Sequence, residues 1–355
     1  MKVQIFGDIS LDGLYCDPQQ HSLLSSNMEF ISKKIGTADL RIGGWESPLW
    51  GNGAINSLKY PRLTTSIEAA SSIMPLNFNL AILANNHIYD NGLAGYRNTV
   101  DFFERNSIDY IGANDDALLV NKNFIFEKNG ISIGILAYVG HETNPNLPDD
   151  CPVYLNFIEY DRVISEIREL KKKVDRVLLL LHWGRVELVR IPDAAQRQMA
   201  RAFIDEGADI IVGSHVHTLQ GWEKWNNGII CYSIGNFIFS PHLVLPGRID
   251  SLRPLDTRRI GIPEFDIQKD SITLRWHYLK KGSYDLLLQE DKDGSVEYFH
   301  KRLNRVLLKS DRGLNTSYQF ERTKSLLRSF VSKNGGVIKA ILSIRIKQFK
   351  LLRKI

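Results

Sequence analysis

What most constrains this chain is an alternation. From residue 3 to about residue 240, short runs of Ile, Leu and Val are separated by stretches with helical spacing. Residues 3–9, 40–43, 80–84, 110–112, 177–182 and 210–213 read as strands. They are continuous apolar runs rather than apolar/polar alternations, as expected for a sheet covered on both faces. Helical spacing marks 66–74, 93–106, 161–173 and 193–206. In the last of these, Ala195, Met199, Ala202 and Phe203 share one face, Pro192 and Asp193 supply a start and Gly207 a stop. Two hairpins interrupt the alternation: 124–127 with 131–138 around Asn129-Gly130, and 222–225 with 229–233 around Asn226-Asn227-Gly228. The pattern predicts a layered α/β domain. The segment 241–263 has no clear period and reads as a long surface loop. A strand resumes at 271–278, and after residue 295 the chain becomes helical and basic.

A hydrophobic fraction of 43% with 10% aromatics supports a packed core and excludes extensive disorder. Cys16, Cys151 and Cys231 are odd in number and widely spaced, matching neither a disulfide framework nor a zinc knuckle. No run of 18 uncharged apolar residues predicts a membrane span. The strand-like opening at residues 1–7 leaves no room for a signal peptide, so a cytoplasmic protein is the expectation.

Polar residues gather where the predicted strands end. Asp8 closes the first strand, Glu46 follows the second, and Asn85-Asn86-His87 follows the third, with Asp90 and Gly92 close behind. His182-Trp183-Gly184 ends a later strand, and Gly213-Ser214-His215-Val216-His217 follows another. Ligands in open α/β sheets bind beyond the carboxyl ends of strands. Imidazole, carboxylate and amide oxygen are donors that Mn, Fe or Zn accept. Any one piece has a plain structural reading. Gly-Asp is a turn, a lone buried histidine is hydrogen-bonded in a core, and Asn85-Asn86 suits a helix cap. Five such pieces at five strand ends point to a metal or phosphate site.

In their order these pieces resemble the metallophosphoesterase superfamily, and more closely its bacterial capsule-synthesis CapA type, associated with poly-γ-glutamate capsule production. The resembling stretches are Gly7-Asp8, Ala38-Asp39-Leu40 leading to Glu46-Ser47-Pro48-Leu49, Ala84-Asn85-Asn86-His87 with Asp90-Asn91-Gly92, and His182-Trp183-Gly184. Gly207-Ala208-Asp209, Gly213-Ser214-His215-Val216-His217 and Tyr232-Ser233-Ile234-Gly235-Asn236-Phe237 complete them, so the likeness runs from about residue 2 to 240. It implies a four-layer α/β/β/α sandwich over residues 1–285, with a basic helical extension over 286–355.

Carried over residue by residue, the resemblance implies Asp8, Glu46, Asn86, His182, His215 and His217 as ligands of divalent metal ions, two at most, with Mn, Fe or Zn as candidates. His87 becomes the general acid or phosphate-contacting histidine, and Asp90 the carboxylate that orients it. Arg185, Arg190, Lys59 and Arg62 are either anion clamps beside the site or surface charges. Asn236 is either part of a tight strand exit or a contact of the histidine loop. Glu187 stands one residue later than the family's usual spacing and falls outside the ligand set. Ser10 replaces the histidine of the superfamily's Asp-x-His, Glu46 its aspartate, and Gly44 the asparagine usual two residues before that glutamate.

The function implied is a capsule or exopolymer synthesis protein: a metal-dependent hydrolase acting on phosphoester or polymer intermediates. The alternatives are a non-catalytic metal- or polymer-binding subunit of a synthase, and a general phosphodiesterase. The implied partners are a phosphorylated or anionic polymer and a synthase complex. Nucleic acid is not expected, because the tail lacks a recognition motif.

The net charge of +5 hides a split. Residues 301–355 hold fifteen basic side chains and two acidic ones, Asp311 and Glu321, so this stretch is +13 and the first 300 residues are −8. Over 337–355 the helical projection puts Ile341, Ile344, Leu351, Leu352 and Ile355 on one side and Lys339, Lys347, Lys350, Arg353 and Lys354 on the other. Such a helix suits peripheral contact with the inner face of a membrane, or packs its apolar side on the domain.

Overall fold

The computed structural model describes residues 1–240, 243–245, 248–249, 255–282 and 286–333. Fourteen strands build two main sheets. In chain order they are β1 (Lys2–Ser10), β2 (Leu40–Trp45), β3 (Leu80–Ile82), β4 (Asp109–Ile111), β5 (Phe124–Lys128), β6 (Ile131–Val139) and β7 (Arg176–His182), followed by β8 (Ile210–Ser214), β9 (Trp222–Trp225), β10 (Gly228–Cys231), β11 (Asn236–Phe239), β12 (Arg259–Ile267), β13 (Ile272–Lys281) and β14 (Leu288–Glu290). The eight-stranded sheet runs β14-β13-β12-β1-β2-β3-β4, with β11 also on β1. The six-stranded sheet runs β9-β10-β8-β7-β6-β5. All six strands expected from the apolar runs are present, and both hairpins form.

Side-chain alternation shows how the sheets stack. Ile133, Ile135, Ala137 and Val139 of β6, with Leu178 and Leu180 of β7, share a core with Val3 and Ile5 of β1. The intervening Leu136, Tyr138, Leu179 and Leu181 face the other way, against Val163, Ile167 and Leu170 of α4 (Tyr160–Lys171) and Ala200, Phe203 and Ile204 of α5 (Ala194–Asp205). On the first sheet, Leu24, Met28, Ile31 and Ile35 of α1 (Pro18–Ile35) and Phe102 and Phe103 of α3 (Gly92–Arg105) are buried. Trp45 of β2 packs on both phenylalanines, with ring centroids 6.2 and 5.1 Å away. The result is the expected sandwich of two sheets between helices.

Strand β1 organises the first sheet because it changes neighbour along one edge. Its start pairs antiparallel with β12 (Gln4 opposite Glu264), and its end pairs parallel with β11 (Asp8 opposite Asn236). The β1–β12 register stops one step before Pro263, which has no N–H to give a ladder, and that releases the edge to β11.

Several details differ from the sequence reading. The helix α1 was not among the stretches that helical spacing marked: its apolar stripe is narrow and its first turns carry Gln19, Gln20, Ser22 and Ser25. It begins at Pro18 after Asp17, whose carboxylate accepts from the Gln19 amide. The 66–74 stretch is only a short α2 (Ile67–Ser71), because Pro75 lies in a separate 3₁₀ turn. The expected loop 241–263 ends early: β12 starts at Arg259, and Leu243–Leu245 pairs with Arg248–Ile249. In α5 the start and stop hold, and Asp193 and Gln196 form a capping box, but the buried face is Gln196, Arg197, Ala200, Phe203 and Ile204. Ala195 is exposed and Met199 and Ala202 are half-buried. The face is rotated because α7 (Asp311–Lys333) also packs against α5.

The expected boundary after residue 285 cuts the first sheet, since β14 pairs with β13. Beyond it, α6 (Ser295–Leu307) and the start of α7 pack on the second sheet's helices through Leu307, Leu314 and Tyr318. Both acids of residues 301–355 are used inward, Asp311 on the buried Arg197 and Glu321 on Arg190. No helix among the described residues is long and apolar enough to cross a membrane. The amphipathic stretch 337–355 lies outside the described residues.

His300 of α6 is buried, with Nε2 2.9 Å from the Gln220 carbonyl, Nδ1 3.0 Å from the Tyr278 hydroxyl and the Trp276 ring edge-on. Burial holds its pKa down at about 4. The folded state therefore resists the proton that the unfolded chain accepts near pH 6.5. This contribution is full above pH 6.5 and is lost as pH falls toward 4, about 3 kcal/mol in all. Urea melts from pH 7.5 to 4.5 should lose stability more steeply for the wild type than for His300→Gln. Parallel slopes would overturn this assignment.

Candidate metal centre

Five parallel strands from both sheets end at the same edge of the sandwich. Asp8 lies near the end of β1, Glu46 follows β2, and the 85–87 loop follows β3. His182 ends β7, and His215 and His217 follow β8. Gly7 is required beside Asp8: a Cβ there would meet the Gly235 carbonyl oxygen at 1.9 Å, while the Asp8 amide donates to that same oxygen at 3.1 Å. His215 and His217 adopt left-handed backbone conformations, φ 86° and 58°. Such geometry is costly for non-glycine residues and marks functional loops. Here it turns two histidines separated by one residue to the same place.

All six residues implied as ligands are buried. Glu46, His182 and His215 bring one ligand atom each within 4.8 Å of one another. Asp8, Glu46 and His217 do the same, so Glu46 belongs to both groups. The Asp8 carboxylate accepts from the His215 amide at 3.1 Å. His182 Nδ1 lies 3.0 Å from Ser214 Oγ, and its Nε2 lies 2.9 Å from Asn86 Oδ1. The Asn86 amide is oriented by donation from Nδ2 to the Thr143 carbonyl at 3.1 Å. His215 Nδ1 is buried without a hydrogen-bond partner. Burial pushes the Asp8 carboxyl up to about 7 and the His215 imidazole down to about 3. His182 is held well below its ordinary value by burial and its histidine neighbours.

His87 and Asp90 stand beside this cluster. His87 Nδ1 is 2.6 Å from Asp90 Oδ2, a contact that shares one proton, and Nε2 faces Glu46 Oε1 at 3.9 Å. Asp90 Oδ2 also accepts from the Leu63 amide at 2.7 Å. Burial nevertheless drives the Asp90 carboxyl up to about 8. The Asn85 side chain bridges back, accepting from the His87 amide and donating to the Trp45 carbonyl.

The four candidate anion clamps separate. Lys59 is buried, and its Nζ donates to the Asn144 carbonyl at 2.8 Å. Arg62 is exposed, with its charge felt by Asp90. Arg190 is engaged with Glu321 at 2.5 Å, at α7 rather than at the cluster. Arg185 is exposed, and its charge acts on Tyr318 of α7. Asn236 starts β11 and also sits against the histidine loop, its Oδ1 2.8 Å from His217 Nδ1, so both of its readings hold. Glu187, set aside on spacing, is exposed, yet its charge acts on Asp8, His215 and Lys59.

Sequence reasoning missed the parts that support these residues. Ser214 Oγ holds His182 Nδ1 at 3.0 Å, and Glu142 accepts from the Gly184 amide at 2.9 Å. The 140–146 loop offers carbonyls to Asn56, Lys59 and Asn86. Only Ser214 carried a signal, its place inside Gly-Ser-His. Backbone carbonyls carry none.

The sequence model described as Bacterial capsule synthesis protein PGA_cap matches residues 2–241, which span every cluster residue. The chain belongs to this family. Among curated PGA_cap relatives, the "PGA biosynthesis protein CapA" of Bacillus subtilis (strain 168) is 30% identical over 246 residues, 67% of this chain and 63% of that protein. The "Capsule biosynthesis protein CapA" of Bacillus anthracis is 31% identical over 219 residues, 59% of this chain and 52% of that protein. The match thus spans less than two thirds of either relative. Among solved structures, the calcineurin-like phosphoesterase YfkN of Bacillus subtilis is similar at 14% identity, with a TM-score of 0.45, covering 92% of this chain and 97% of that one.

Proposed function

We propose that this PGA_cap chain is a metal-dependent hydrolase of capsule-polymer synthesis that cleaves a phosphoester. The observation that carries the reading is the sharing of Glu46 between two groups of buried ligand atoms, Glu46 with His182 and His215 and Glu46 with Asp8 and His217, each drawn within 4.8 Å. The Asn86 amide oxygen lies 2.9 Å from His182 Nε2 beside the first group. The unpartnered His215 Nδ1 opens there too, a buried polar atom that a ligand would satisfy.

The donor set fits divalent Mn, Fe or Zn. Asn86, His182, His215 and Glu46 would hold one ion; Asp8, His217 and the same Glu46 would hold a second. Bound there, such ions supply Lewis acidity and a water of lowered pKa. The chain's residues do the rest. Asp90 orients His87, and His87 Nε2 holds the proton that a leaving alkoxide needs. Asn236 fixes the His217 ring. The His87–Asp90 pair favours catalysis over a purely binding role, which needs no proton donor. The names of the two CapA relatives support capsule synthesis as the setting.

The two ion sites are unequal. Ser10, in place of a histidine, donates to Asp12 Oδ1 at 2.8 Å, which leaves the Asp8–His217 side with fewer donors. Protein purified without chelator should carry one tightly held transition metal and take up a second at higher concentration. Removing both should lower Tm by several degrees, since saturation at a thousand times Kd stabilises by about 4 kcal/mol. Elemental analysis, thermal melts and turnover of p-nitrophenyl phosphoesters check this. Metal-free protein that neither binds added Mn or Zn nor hydrolyses any ester would sink the proposal.

A further inference from the structure

Among the described residues the buried arginine and lysine side chains are Arg41, Lys59 and Arg197. Arg197 meets the Asp311 carboxylate. Arg41 has no carboxylate but donates to Gln4, Ser32, Leu76 and Gly36. Lys59 is 5% exposed, and no carboxylate lies within 4.0 Å of its Nζ among the described residues. An ammonium has three N–H donors, and the bond to the Asn144 carbonyl uses one. Burying a charge so sparsely paired is costly, which argues for a ligand that completes it.

Its position is tied to the cluster from two sides. Lys59 Nζ and Asn86 Nδ2 donate to consecutive carbonyls, those of Asn144 and Thr143. The ends of the Lys59 segment are bound to Asp90: the Asn56 amide donates to its carbonyl at 3.1 Å, and the Leu63 amide to its carboxylate at 2.7 Å. Lys59 thus sits between the amide that would hold a metal and the carboxylate that orients His87. Its charge is felt at Asp90, His182 and His215.

We infer that Lys59 is a substrate-binding residue whose ammonium takes an oxygen of the phosphoryl group beside His87. This rests on the phosphoester reading and adds the residue that holds the anion. A lysine acts as a compact point charge that can follow a tetrahedral oxyanion, whereas a carboxylate partner would compete with the ligand. Burial lowers the Lys59 pKa, and the neighbouring carboxylates Asp90, Glu46 and Glu187 oppose that shift without pairing with the ammonium.

Inorganic phosphate titrated by calorimetry into the metal-loaded full chain tests this. Lys59→Met should weaken phosphate binding 10- to 100-fold while metal content stays at the wild-type value, and Lys59→Arg should restore most of the affinity. For phosphoester turnover, Lys59→Met should raise KM more than it lowers kcat. Wild-type phosphate affinity in Lys59→Met overturns the inference, as does a wild type that binds no phosphate. If Lys59→Met melts too low to titrate, Lys59→Gln takes its place. Equal phosphate affinity for folded Gln and wild-type chains makes the residue a loop anchor only. Lys59-dependent phosphate binding without hydrolysis of any ester leaves the inference standing and removes the hydrolase reading.

Discussion

Glu46→Gln should strip the site of metal and reduce phosphoesterase turnover on the order of 10³-fold, the largest effect expected of any single substitution here. Glu46 is the one residue common to both metal-sized groups, so losing its charge weakens both sites together. The substitution keeps size and backbone. The residue-46 amide continues to donate to the Ile9 carbonyl at 3.0 Å. Its effect on stability should reverse with metal. A buried carboxylate costs more than a buried amide in metal-free protein, so the variant should melt at or above the wild type in EDTA. With saturating Mn or Zn it should melt below, because the wild type gains binding energy that the variant does not. Elemental analysis and paired melts read both signs. Wild-type metal content and affinity in Glu46→Gln would remove Glu46 from the shared position.

His87→Ala should lower kcat by about 10² to 10⁴ while leaving metal content and Tm near wild type. His87 belongs to neither metal-sized group, and its ring is positioned instead by Asp90 at 2.6 Å. A proton donor matters most where the leaving oxygen is basic. The loss should therefore be large for alkyl esters and small for p-nitrophenyl esters, whose leaving group departs as an anion. Asp90→Asn should give a smaller loss, about 10- to 100-fold, since it disturbs orientation and keeps the imidazole. Equal losses on alkyl and p-nitrophenyl esters would remove His87 from the acid role. Loss of bound metal in His87→Ala would make it a ligand instead.

The strands and the residues at their ends were legible because both follow from local rules. Continuous Ile/Leu/Val runs mark doubly covered strands, and polar residues just past them mark the functional edge. What stayed hidden depends on partners distant in sequence. The rotated face of α5 comes from α7, more than a hundred residues later, and no local period encodes it. The ordering of β12 as far back as Arg259 follows from pairing with β13. Lys59 and Glu187 show the same limit within the site. Spacing could not separate Lys59 from Arg185 and Arg190, yet the fold buries one, exposes another and pairs the third with Glu321. Glu187 joins neither metal-sized group, yet its charge reaches His215, which spacing alone did not show.

The changing partnership of β1 also fixes when this protein can come into being. Its first-sheet neighbours on one edge are β11 and β12, the latter ending at residue 267, so a chain emerging from the ribosome holds its central strand half-paired while more than two hundred residues are still to be made. Asp8 cannot be seated before β11 arrives, because the Gly235 carbonyl that receives its amide comes with that strand. Pairing so distant in sequence closes slowly. On the proposed function, metal capture would therefore follow synthesis of nearly the whole family domain. A nascent chain stalled before residue 230 should bind no metal, whatever ligands it already carries.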